Sequence, residues 1–180
     1  GHILGSAQVR VECGGQIWVV SGDYKLGPDP TCEPFDPVTC HVFISECTFG
    51  LPVYQWPEPA SVFEDINTWW RSNQDQGKTS LLFAYALGKT QRLLAGVDPG
   101  IGPIGLHGAA LPFSPFYRAA GVALPEAQHL NASTTAASSG RGLILAPGSA
   151  AQSPWARALE KSSKGGVSTA FASGWMRIRQ

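Results

Sequence analysis

The run S-L-L-F-A-Y-A-L at 80–87 is apolar almost throughout and passes straight into K-T-Q-R-L-L-A-G, which has helical spacing. A strand without apolar–polar alternation is buried on both faces, as a strand between other layers of structure is. G-L-I-L-A-P at 142–147 repeats the pattern, and S-P-W-A-R-A-L-E-K follows it as a second helix. Between these lie a short strand, P-I-G-L-H-G, and a short helix, S-P-F-Y-R-A-A-G; G-V-S-T-A-F-A-S-G-W-M closes the series as a strand. Strand and helix alternating in this way predict an α/β class of fold.

Upstream, A-Q-V-R-V-E-C and Q-I-W-V-V-S-G-D-Y alternate with period two around Gly14-Gly15, which reads as a hairpin, and H-V-F-I-S-E is a third short strand. The period then changes. Val62, Phe63, Ile66, Trp69 and Trp70 fall on one face of a helix, with Pro59 near its start and Ser61-x-x-Glu64 as a capping box. Both tryptophans belong to that apolar face and are expected in the core. Residues 122–141, rich in small polar side chains, read as a mobile loop.

Thirteen basic residues balance thirteen acidic ones, which counts against a partner held by overall positive charge. No apolar run reaches the roughly 18 residues of a membrane span. Cys13, Cys32, Cys40 and Cys47 contain no C-x-x-C pair. They are expected as reduced thiols of a cytoplasmic protein, with a Cys32–Cys40 disulfide as the alternative.

Three familiar patterns fail on inspection. G-I-G-P-I-G at 100–105 satisfies G-x-G-x-x-G, but it carries Pro103 and lacks a strong preceding strand and a following helix. G-K-T at 88–90 lacks the first glycine of a P-loop, because Phe83 stands there. No G-x-S-x-G nucleophile elbow occurs.

His2 and Asp23 remain. A histidine before the first strand and an aspartate after the second meet at one edge of a sheet. Imidazole nitrogen and a carboxylate able to bridge two divalent cations are metal-binding chemistry, although S-G-D-Y also reads as an ordinary turn.

The stretches G-H-I-L-G-S-A-Q-V-R-V-E, V-V-S-G-D-Y and F-I-S-E-C-T-F-G-L-P resemble the metallo-β-lactamase-fold nucleases of the β-CASP group. With F-A-Y-A-L-G-K-T-Q-R, L-H-G-A-A and S-T-A-F-A-S-G-W-M, the resemblance is to the bacterial ligase-associated DNA exonuclease branch. It implies that residues 1–55 are part of a metallo-β-lactamase domain, at its sheet edge, and that 56–180 are a β-CASP α/β domain. It implies two divalent ions, zinc or manganese, with His2 binding one and Asp23 bridging both. Glu46 matches the first motif particular to the β-CASP group and is expected to orient a histidine beside the leaving group. The family's H-x-H-x-D-H signature and a later histidine motif have no match, so the chain is expected to be a fragment of a larger enzyme. His107 matches a strand histidine and reads as packing at a strand end.

Metal-dependent hydrolysis of DNA from its ends follows as the expected activity, in DNA repair beside an ATP-dependent DNA ligase and a helicase, with no membrane partner. An RNA-processing nuclease of the same superfamily and a non-catalytic remnant are the alternatives. For substrate binding, Gly88 and Lys89 stand where a buried strand meets a helix N-terminus. Free N–H groups there favour an anion, against the alternative of an ordinary turn with a solvated lysine. Tyr85 either stacks on a base or belongs to the core.

Overall fold

The computed structural model describes residues 1–130 and 140–174. The chain divides into two compact units, Gly1–Pro57 and Glu58–Gln180.

In the first unit, strands β1 (Val9–Cys13) and β2 (Gln16–Val20) form an antiparallel hairpin. Gly14 and Gly15 both take positive φ, 56° and 77°, which a two-residue turn matching the strand twist requires. Strand β3 (Val42–Ile44) joins β2 in parallel, giving the order β1-β2-β3. His41 extends this ladder: its N–H donates to Ile17 O at 2.9 Å and its Nδ1 accepts from Ile17 N at 3.0 Å.

Alternation gives the sheet two unlike faces. Val19 is fully buried, and Tyr24 stacks on Phe35 at 4.2 Å while meeting Phe43 edge-on at 6.3 Å. On the other face Val9, Val11, Trp18, Val20 and Ile44 are all exposed. The four cysteines are free thiols.

The second unit begins with helix α1 (Pro59–Asp75), followed by β4 (Thr79–Phe83), α2 (Lys89–Gly96) and β5 (Ile104–His107). Then come α3 (Ser114–Ala119), β6 (Gln128–Leu130), β7 (Leu143–Ala146), α4 (Pro154–Ser162) and β8 (Val167–Phe171). The five strands form one parallel sheet in the order β6-β5-β7-β4-β8. Every residue of β4 and β7 is buried.

Successive side chains of the central strands serve opposite layers. Leu82, Leu143 and Leu145 pack with Trp70, Leu93 and Leu94 of α1 and α2. Leu81, Phe83, Ile144 and Ala146 pack with Leu159 and Trp155 of α4. The fold is therefore α/β, with a parallel sheet covered on both faces and a separate small mixed sheet.

Several local expectations change. Ser61 is not an N-cap: α1 starts at Pro59, and the Ser61 hydroxyl donates to Glu58 O at 2.9 Å. Glu64 instead pairs with Arg71 at 3.4 Å. The strand in S-L-L-F-A-Y-A-L ends at Phe83, so Tyr85 lies in a loop. Gln128–Leu130, within the stretch read as a mobile loop, is an edge strand aligned with β5; residues 131–139 of that stretch lie outside the described residues. Trp70 is fully buried and donates to Arg141 O at 3.0 Å, whereas Trp69 is only partly buried and donates to Ser168 Oγ at 3.2 Å.

Candidate metal centre and strand-end site

The first six residues form a self-bonded turn. Gly5 has φ 81°, and the Ser6 hydroxyl accepts from the N–H groups of His2 and Ile3, both at 3.2 Å, while donating to Ile3 O at 2.6 Å. Gly1 lies directly against Phe35, where a Cβ would meet backbone atoms. A bulkier residue cannot occupy that contact, and no other residue takes the Gly5 conformation as cheaply.

Asp23 follows β2 and Glu46 follows β3, which runs parallel to β2. His2 precedes β1, whose first residue Val9 pairs with Val20 at the end of β2. All three therefore stand at one edge of the small sheet. His2 Nε2 is 3.9 Å from Asp23 Oδ2, with side chains 47% and 66% exposed. Ligand bonds of about 2.0–2.2 Å to nitrogen and oxygen span that separation, so the pair can embrace one cation after a small adjustment. Among the described residues no group of three or more His, Cys, Asp or Glu gathers here.

The Glu46 carboxylate is exposed and accepts from Thr48 N–H at 2.7 Å. Beside Asp23 a hollow of about 190 Å³ is bordered by Ser6, Gln8, Ser21, Glu33 and Asp36.

One lysine ties these segments together. Lys25 Nζ donates to His2 O at 2.6 Å, to Gly1 O at 3.0 Å and to Cys32 Sγ at 3.4 Å, and it pairs with Asp29 Oδ2 at 2.9 Å. Asp29 also accepts from Thr31 N–H at 2.8 Å and Thr31 Oγ1 at 2.6 Å. Burial pushes the Asp29 pKa up, but these bonds and the Lys25 charge outweigh it and hold the group below its ordinary 3.8. This arrangement escapes sequence reading. Its only trace is the Lys25/Asp29 spacing, which outside a helix carries no expectation.

In the second unit, α2 and α4 leave β4 and β7 toward opposite faces of the sheet. The carboxyl ends of such neighbouring strands are where open α/β sheets bind ligands. Tyr85, Gly88 and Lys89 follow the end of β4.

The N–H groups expected to be free there are mostly taken. Gly88 N–H donates to Gln91 Oε1 at 2.8 Å, Lys89 N–H to Leu87 O at 3.0 Å and Thr90 N–H to Tyr85 O at 3.0 Å. What this helix start offers an anion is chiefly the Lys89 ammonium, 5.4 Å from the centre of the Tyr85 ring. Burial, and then the charge of Arg92, lower the Lys89 pKa from 10.5. Tyr85 is 72% exposed, which removes the core alternative for it.

His107 ends β5 with its ring edge-on to Trp155 at 4.7 Å, and its Nδ1 accepts from Ala109 N–H at 3.1 Å. Burial, and then His129, lower its pKa from 6.5.

No protein-family model matches the chain. It is 32% identical over 178 residues to a protein named "Probable DNA ligase" from Opitutus terrae. That alignment covers 97% of this chain and 16% of the relative, so the chain spans about a sixth of the length of the protein it matches.

Proposed function

We propose that this chain belongs to a metal-dependent DNA exonuclease of metallo-β-lactamase and β-CASP type that works in repair together with DNA ligation. The observation that carries the reading is the solvent-facing His2–Asp23 pair at 3.9 Å, on the sheet edge that also bears Glu46. The name of the relative supports DNA over RNA as substrate.

In this reading His2 provides a neutral imidazole nitrogen, and Asp23 a carboxylate able to reach two cations. When bound, two divalent ions, zinc or manganese, supply Lewis-acid activation of the phosphodiester and of water. Glu46 holds a histidine of the larger polypeptide in the tautomer that serves the departing oxygen. Lys89 holds a backbone phosphate as a point charge, and Tyr85 offers a flat face to a base.

Two protein donors leave a cation largely hydrated. The 180-residue chain alone is therefore expected to release no nucleotides from end-labelled DNA with manganese or zinc. In a polypeptide that also carries the H-x-H-x-D-H segment, digestion is expected, and Asp23→Ala should abolish it. Lys89→Ala should weaken DNA binding and flatten its salt dependence without loss of metal. Digestion that survives a chelator, or full activity of Asp23→Ala, would overturn the mechanism.

A further inference from the structure

We infer that Lys25 is the positioning residue that sets the imidazole of His2 against Asp23; the role rests on the metal-centre reading, the placement on geometry alone. The carbonyls of Gly1 and His2 bracket the His2 backbone, and both end on one ammonium, at 3.0 and 2.6 Å. Fixing those two carbonyls restrains the backbone torsions of His2, and with them the direction in which its Cα–Cβ bond leaves the chain toward Asp23.

The ammonium is itself fixed. Asp29, with a side chain 5% exposed, pairs with it at 2.9 Å and is held in turn by Thr31. Asp23 lies two residues before Lys25. The same short segment thus carries a partner for the imidazole and a clamp for its backbone. The Ser6 turn accepts from the N–H groups of His2 and Ile3 and closes on the Ile3 carbonyl, leaving the carbonyls of Gly1 and His2 to other partners. Those two carbonyls belong to Lys25, and no other described side chain bonds to either of them.

The test reads placement on the metal-free chain by the ¹⁵N and ¹H signals of the His2 ring. Neutralising a carboxylate beside that ring by Asp23→Asn should move those signals. In a Lys25→Met background the same substitution should move them several-fold less, while the amide signals of β1 and β2 keep their positions. Lys25→Arg, which keeps the charge and the donors, should restore most of the response. Thr31→Val, which frees Asp29 on one side only, should reduce it partly and decides the matter if Lys25→Met does not fold. A full response to Asp23→Asn in a folded Lys25→Met or Thr31→Val background overturns the inference. Since neither metal nor substrate is present, absence of nuclease activity in the larger polypeptide would sink the functional reading and leave this result untouched.

Discussion

In the first unit the Lys25–Asp29 pair joins charge to burial, the Asp29 side chain being only 5% exposed. Asp29 shows the consequence most directly. Its folded pKa lies below the ordinary 3.8, so its contribution to stability is complete above that value and fades as pH falls through the lower folded value. Acid unfolding followed by circular dichroism should therefore lose a component below about pH 4. Asp29→Asn should be less stable at neutral pH and flatter in acid; an unchanged acid profile would contradict the ion-pair account. The same scale shows what a sequence conceals. His2 and Asp23 were legible because a hairpin of known length carries them to one edge. Lys25 was not, because the partners that link it to His2 are backbone carbonyls, which any residue provides.

Whole elements were legible where burial imposes a pattern on them. The all-buried strands β4 and β7 declare themselves as apolar runs, and α1 declares itself by its face. Strand β6 escapes because its pairing is dictated by β5, and three residues in a polar stretch show no period of their own. The helix α2 begins at Lys89 as its sequence predicts, but the way its first turn is capped escapes for a related reason. Gln91 looks like a surface glutamine, yet it is fully buried, accepting from Gly88 N–H at 2.8 Å and donating to Ala86 O at 3.1 Å. Its amide closes the β4–α2 loop that carries Tyr85 and Lys89. Gln91→Leu leaves a buried donor and acceptor unmet, so a loss of about 2–4 kcal/mol is expected in urea unfolding. Hydrogen exchange at Gly88 should accelerate at the same time. A variant of unchanged stability would show that the loop closes without this side chain.

At the level of the molecule, the β6-β5-β7-β4-β8 order puts the first strand of the larger sheet next to the last. Five residue pairs join them, from Thr79–Val167 to Phe83–Phe171. A chain ending at residue 164 would expose one side of β4, a fully buried strand, as an open edge. It is expected to aggregate on expression and to give no cooperative unfolding transition; a soluble, cooperatively folding product would contradict the account. The small sheet differs, since its hairpin pairs neighbours and β3 follows after about twenty residues. The two units therefore mature on different clocks during synthesis. Every strand pairing within the small sheet is available once β3 has emerged, whereas the larger sheet waits for β8, which follows β4 by about ninety residues. Any partner that recognises the finished second unit meets it only once nearly the whole of this chain has been made.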